Sequence, residues 1–205
     1  MLADDHAVVR TGFRLLLQSR PDISVVAEAA TGEIACQLYA EVVPDVVVMD
    51  LGMPGMGGLE AIRRIRAHHN RARILALSAH DDPQYAKRAL REGALGFLSK
   101  RSAPEALIEA ILRVAAGGRY LDRLIGGRLT HGEIEGESPL ERLSEREFEV
   151  FVRLAGGASV QKIAADLKVS ASTVGTHLYN IKQKLGAANQ SELTLLAIRH
   201  GVIQP

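Results

Sequence analysis

The chain has 205 residues, of which 47% are hydrophobic and 24% charged, and its formal net charge is +1. That length suits two compact units, and the composition is that of folded globular proteins rather than disordered or collagen-like ones. A near-neutral balance says nothing about nucleic acid, while the lack of a membrane-length apolar run and of a leader-like start at Met1 to His6 predicts a cytoplasmic protein with no membrane partner.

Through the first half, short apolar runs alternate with helical patterns. The runs are Met1-Leu2-Ala3, Val25-Val26-Ala27, Val46-Val47-Val48-Met49, Ile74-Leu75-Ala76-Leu77 and Gly96-Phe97-Leu98. Continuous apolar strands imply a sheet buried on both faces. Five strands in strict alternation with five helices predict an α/β fold with a doubly wound parallel sheet, whose chemistry belongs at the carboxyl ends of its strands. The lone Cys36 has no second thiol or paired histidines beside it and reads as a small core filler.

From Ala116 the pattern weakens, and 117–139 reads as a linker with room for a short helix between Leu121 and Leu129. Beyond it the strands vanish. Ser144-Glu145-Arg146-Glu147 forms a capping box, and periodicity predicts an all-α unit of four helices over 145–155, 160–167, 171–185 and 189–200. Residues 140–205 hold eight Lys/Arg against six Asp/Glu, and Leu167 to Ser191 carries Lys168, Lys182 and Lys184 with no acid.

Acidic residues fall at strand ends: Asp4 and Asp5 after the first strand, Asp50 after the third. Such close carboxylates repel one another unless a hard cation lies among them, and Mg²⁺ suits one or two carboxylates with carbonyls, waters and a phosphate. Ser78 ends the fourth strand and Lys100 follows the fifth, adding a hydroxyl and a point cation at the same rim. That set fits phosphoryl chemistry: a carboxylate attacks, a cation neutralises the oxygens, and Lys100 with Ser78 holds the developing charge. A single Asp after a strand is more often a helix cap or turn former; five such residues in order at four strand ends are not explained that way.

Residues 2 to 116 resemble a receiver domain. The resemblance rests on Leu2-Ala3-Asp4-Asp5-His6, Asp50-Leu51-Gly52-Met53-Pro54 with Gly58, Ser78-Ala79, and Gly96-Phe97-Leu98-Ser99-Lys100. It implies a flavodoxin-like fold in 1–116, Asp50 as the acceptor of a phosphoryl group from a sensor histidine kinase, and Mg²⁺ on Asp4, Asp5, Asp50 and the carbonyl of Gly52. It also implies that Phe97 is the aromatic switch, turning inward when Ser78 moves onto the phosphate; plain core packing is the other reading of Phe97. Family members carry several apolar residues before the acid pair, whereas three precede Asp4 here. For a central strand, typically about 5–6 residues long, this implies a start lying further upstream or a weakened domain.

In Val169 to Leu185, Val174, Leu178, Ile181 and Leu185 share a core-facing side, and Ser172, Gly175, Thr176, Tyr179, Lys182 and Gln183 share a polar one. With the shorter helix before it this predicts a helix-turn-helix whose second helix enters a major groove of double-stranded DNA. The expected DNA contacts are Ser172, Thr173, Gly175, Thr176, Tyr179, Lys182 and Lys184, with the small Gly175 and Thr176 close to base edges, Tyr179 reaching further, and Lys182 and Lys184 at phosphates. A polar helix face alone is usually only solvated surface. The fuller pattern of Leu143-Ser144-Glu145-Arg146-Glu147, Ile163-Ala164, Leu167, Val169-Ser170, Thr173-Val174, His177, Ile181, Lys184-Leu185 and Glu192-Leu193 resembles the LuxR-type domain of the NarL/FixJ class over 140–203. The tail Glu192-Leu193-Thr194 with Ala197 to Gly201 is similar to the GacA/UvrY branch, which implies small regulatory RNA genes as targets. His177 and His200 lie on different helices without a further ligand and read as packing or capping residues.

Three local lysines give one domain weak, poorly specific binding, so a homodimer formed on phosphorylation is expected to read half-sites about 10 bp apart or a multiple of it. RNA polymerase is a further partner compatible with this reading. The family implied is of regulators rather than enzymes. Two alternatives stand: an aspartate-nucleophile phosphatase, although Gly52 occupies the place of its usual second Asp, and a regulator that acts without phosphorylation.

Overall fold

The structure is a computed structural model that describes residues 1–79, 83–126, 138–167 and 169–203. Residues 80–82, 127–137, 168 and 204–205 lie outside the described residues, and with them Lys168 and most of the linker stretch. The chain divides into two units, Met1–Ile134 and Glu135–Pro205.

In the first unit the strands are β1 (Leu2–Ala3), β2 (Glu28–Ala29), β3 (Val47–Asp50), β4 (Ile74–Ser78), β5 (Gly96–Ser99) and β6 (Tyr120–Leu121). They alternate with α1 (Ala7–Gln18), α2 (Gly32–Val42), α3 (Gly58–His68), α4 (Pro83–Arg91) and α5 (Pro104–Ala115), and α6 (Arg123–Gly126) follows β6. The strand order is β2-β1-β3-β4-β5-β6 with every neighbouring pair parallel, the doubly wound α/β arrangement that the alternation predicts. Side chains of a strand alternate between faces. Val46, Val48, Leu75, Leu77 and Leu98 join Leu17 of α1 and Leu107, Ile111 and Val114 of α5 in one core cluster. The intervening Val47, Met49, Ile74, Ala76 and Phe97 are also buried, on the side where α3 meets β3 and α4 meets β4 and β5. Each such aliphatic side chain contributes about 1.5–3 kcal/mol by leaving water.

Two strands depart from expectation. Val25-Val26-Ala27 is not a strand; the ladder begins at Glu28, because β1 offers only Leu2 and Ala3, which pair with Glu28 and Ala29, and Val26 is left exposed. Conversely, Tyr120–Leu121, read as the start of the linker, adds to the outer edge of β5, so the sheet has six strands among the described residues where five were expected. Nothing in two residues shows a period, so only the neighbouring edge reveals this strand.

Within the second unit a 3-10 turn (Pro139–Arg142) precedes α7 (Glu145–Ala155), α8 (Val160–Asp166), α9 (Ala171–Leu185) and α10 (Gln190–Arg199). The capping box at Ser144 forms as expected: Glu147 N–H donates to Ser144 Oγ, and Ser144 N–H donates to Glu147 Oε2 at 2.7 Å. Ser159, Ser170 and Asn189 cap the other three helices, and Gly186 ends α9 in the left-handed region at φ 66. Phe148, Phe151, Ile163, Val174, Ile181 and Leu193 are fully buried and form the centre of this unit.

Gly58 ties fold to chemistry. It opens α3 directly against the end of β3, where a Cβ would stand 2.1 Å from the Asp50 carbonyl oxygen. Gly58→Ala must therefore push α3 away from Asp50, and overpacking of this kind costs about 1–3 kcal/mol. A lower urea midpoint is the expected outcome, and an unchanged one would contradict this account.

Candidate functional site

The ends of β1, β3 and β5 bring Asp4, Asp5, Asp50 and Lys100 together. The side chains of Asp4 and Asp50 are each only 3% exposed, and the Lys100 ammonium bridges them, 2.6 Å from Asp4 Oδ2 and 2.8 Å from Asp50 Oδ2. His6 stands beside them, with Nδ1 2.8 Å from Asp5 Oδ1 and 3.3 Å from Asp4 Oδ1. The backbone closes the pocket floor: Gly52 N–H donates to Asp50 Oδ1 at 3.1 Å, His6 N–H to Asp4 Oδ1 at 2.9 Å, and Arg10 Nη1 to the Asp4 carbonyl at 2.6 Å.

Burial pushes the Asp50 carboxyl above its ordinary value; Lys100 opposes the shift and the charge of Asp4 adds to it. Burial likewise works against the Lys100 ammonium, but the Asp50 and Asp4 carboxylates outweigh it and hold the group above its ordinary 10.5. Three carboxylates against one ammonium leave two negative charges in excess. Asp4 Oδ2 and Asp5 Oδ1 are buried, the first facing the Lys100 ammonium and the second His6 Nδ1. Asp4, Asp5, His6 and Asp50 each offer one ligand atom within 4.8 Å of the others. This donor set and charge fit a hard divalent cation.

Ser78 is buried at the end of β4 opposite Ser99, and its carbonyl accepts the Lys100 N–H at 2.7 Å. Phe97 is fully buried on β5 beside Ala76, which suits both readings of this residue. Asp122 falls in the stretch that the sequence marks as a linker. It is 3% exposed, its N–H donates to the Phe97 carbonyl at 3.0 Å, and its Oδ2 accepts from Ser99 N–H at 2.9 Å and from the Ser102 hydroxyl. The residue after β6 thus grips the loop that carries Lys100. Cys36 is half-buried, with Sγ 3.9 Å from Met56 Sδ.

In the second unit α8 and α9 form the expected helix-turn-helix. Val174 and Ile181 face inward, while Ser172, Gly175, Thr176, Tyr179 and Gln183 are exposed on one side with the partly exposed Lys182. A Cβ on Gly175 would meet nothing, so internal packing does not require the glycine. Thr173 sits at the edge of this face, its hydroxyl 2.8 Å from Ser170 Oγ at the helix cap. Lys184 stands apart from the others: its ammonium donates to the buried Glu147 at 2.6 Å, tying α9 to α7. His200 Nδ1 lies 3.4 Å from Ser138 Oγ, in keeping with a capping role.

Both halves have known relatives. Residues 1–112 match the response regulator receiver domain, and residues 141–197 match the bacterial regulatory proteins of the luxR family. The chain therefore belongs to the LuxR-type response regulators, the DNA-binding transcription regulators of two-component systems. It is 38% identical over 205 residues to the response regulator UvrY of Escherichia coli (strain K12), covering 98% of this chain and 94% of that one. Among solved structures it resembles a LuxR-family two-component response regulator from Aurantimonas sp. SI85-9A1, with TM-score 0.62, 44% identity, and coverage of 66% of this chain and 96% of that one. It is also similar to RcsB in a structure of two RcsB dimers bound to two parallel DNAs, with TM-score 0.61, 26% identity and coverage of 95% of each chain. No helix among the described residues is long and apolar enough to cross a membrane.

Asp122→Ala removes the acceptor used by the Ser99 amide and the Ser102 hydroxyl, a loss worth about 1–3 kcal/mol, so the receiver's urea midpoint should fall; a midpoint equal to wild type would show that the grip contributes nothing. Glu147 supplies a pH dependence. Burial alone would raise its carboxyl, but the Lys184 ammonium and the Ser144 amide and hydroxyl hold it below its ordinary 4.5. A depressed carboxylate contributes stability that is complete above the unfolded value and disappears as pH falls through the folded one. Acid unfolding of wild type should accordingly steepen below about pH 4.5, and Glu147→Gln should be less stable at neutral pH with a flatter acid profile. Parallel profiles would refute the ion pair's contribution.

Proposed function

We propose that Asp50 accepts a phosphoryl group from a sensor histidine kinase and that this event controls dimerisation and promoter binding by the helix-turn-helix. The observation that carries the reading is the Lys100 ammonium held between Asp4 and Asp50 at 2.6 and 2.8 Å on the carboxyl edge of the sheet. An Asp50 carboxylate oxygen attacks the phosphorus of the phosphohistidine, the P–N bond breaks, and the imidazole leaves as the neutral base after taking a proton. Asp4, Asp5, Asp50 and the Gly52 carbonyl would hold Mg²⁺, which when bound neutralises the charge on the phosphoryl oxygens. Lys100 exchanges its carboxylate partner for a phosphoryl oxygen, and the Ser78 hydroxyl donates to another. Phe97 then moves within the space that Ser78 vacates.

The acyl phosphate brings roughly 1.5–2 negative charges to the rim, by analogy with other phosphorylated side chains, and biases the receiver toward a second conformation. In that state two copies pair and present two α9 helices to half-sites about 10 bp apart or a multiple of it. The similar RcsB, seen as two dimers bound to two parallel DNAs, supports the dimer as the form that binds DNA. Ser172, Thr173, Gly175, Thr176 and Tyr179 read bases and Lys182 contacts a phosphate; Lys184 reaches DNA only by loosening its hold on Glu147. The protein acts in the cytoplasm on small regulatory RNA genes, with RNA polymerase as a further partner. The receiver assists only its own phosphorylation and dephosphorylation: the second carboxylate of an aspartate-nucleophile phosphatase is replaced by Gly52, whose amide instead donates to Asp50.

Fluorescence anisotropy with promoter DNA, Mg²⁺ and a small-molecule phosphodonor tests the proposal. Wild type should gain about 5- to 150-fold in affinity on phosphorylation, the usual range of allosteric coupling. Asp50→Asn should gain nothing, and an equal gain by this variant would overturn the assignment.

A further inference from the structure

We propose that His6 is an additional ligand of the acid pocket and biases it toward imidazole-preferring divalent ions, Co²⁺ and Ni²⁺, relative to Mg²⁺. The inference rests on reading Asp4, Asp5 and Asp50 as a cation site. His6 occupies the N-cap of α1, a position whose side chain ordinarily accepts from a free helix amide, yet its side chain makes no cap hydrogen bond. Instead the ring folds back over the acids. Its backbone N–H is pinned to Asp4 Oδ1, and Nδ1 stands 2.8 Å from Asp5 Oδ1 and 3.3 Å from Asp4 Oδ1.

Those separations suit shared coordination. Neighbouring ligands on an octahedral ion with bonds near 2.1 Å lie about 3.0 Å apart and opposite ones about 4.2 Å. The four ligand atoms of Asp4, Asp5, His6 and Asp50 span at most 4.8 Å, so a contraction of about 0.6 Å at the widest pair brings them within octahedral range. Two buried oxygens, Asp4 Oδ2 and Asp5 Oδ1, face the site, held by the Lys100 ammonium at 2.6 Å and by His6 Nδ1 itself at 2.8 Å, so an arriving ion takes the place of these contacts. Carboxylate and carbonyl oxygens alone favour Mg²⁺, whereas an imidazole nitrogen raises affinity for later first-row ions. The ring is 55% exposed, so it can turn onto an ion without disturbing the core.

Isothermal titration of the full chain with Mg²⁺, Co²⁺ and Ni²⁺ tests this, comparing wild type with His6→Ala and with the cap-competent His6→Asn. Loss of the ring should weaken Co²⁺ and Ni²⁺ by about 10- to 100-fold, the scale seen when a metal site loses a supporting group, and leave Mg²⁺ within about twofold. The visible absorption of bound Co²⁺ should shift in both variants. If all three ions weaken together, His6 only orients Asp5; if none changes, it is a bystander; either result overturns the proposal. Wild type binding none of the ions would instead refute the cation site itself.

Discussion

One ammonium holds the receiver rim together. Lys100, arriving after β5, lies between carboxylates contributed by β1 and β3, three segments far apart in sequence. Two buried carboxylates alone would repel, and leaving a buried charge without its partner costs about 3–5 kcal/mol. The clasp therefore does two things at once. It makes the acid pocket tolerable in a folded chain, and it places a mobile cation where a transferred phosphoryl group would need one. In the proposed phosphorylated state the ammonium would serve a phosphate in place of a carboxylate, which would alter what holds the three strand ends.

The route from that rim out of the sheet is built from backbone and hydroxyl groups rather than from charge pairs. Ser99 precedes Lys100, and Asp122 binds both the Ser99 amide and the Ser102 hydroxyl, while its own amide holds the Phe97 carbonyl. Asp122 thus ties the segment after β6 to the loop that carries Lys100. In the second unit the comparable tie is Lys184 to Glu147, which joins α9 to the capping box of α7. The same carboxylate that satisfies the start of one helix positions the end of another.

Much of this was legible in the sequence wherever a repeat or a spacing carried the information. Apolar runs followed by acids, a serine or a lysine located β1, β3, β4 and β5 and the rim residues, and the Ser144 capping box with 3.6-residue periodicity located α7 to α9 within a residue. What failed depended on a neighbour. Val25 to Ala27 has a strand's composition but lacks a facing strand, and Tyr120–Leu121 has too few residues to show a pattern but finds the free edge of β5. Asp122 carries no signal within the stretch 117–139 because its partners, Ser99 and Ser102, are some twenty residues away. Lys184 looked like a surface cation because Glu147 lies across the core in a different helix.

The placement of β6 also restricts how two receivers can meet. A bare parallel edge invites a second chain to extend the sheet, and natural sheets cover such edges. Here Tyr120 and Leu121 occupy the outer hydrogen-bonding edge of β5, and at the opposite border β2 is only two residues long. Both border strands, β2 and β6, are too short for a long ladder, which favours contacts through side chains of helices and loops, whose chemistry can be matched or mismatched residue by residue. A cell that houses many related receivers gains selectivity from this: backbone ladders accept almost any sequence, whereas side-chain surfaces distinguish self from cousin.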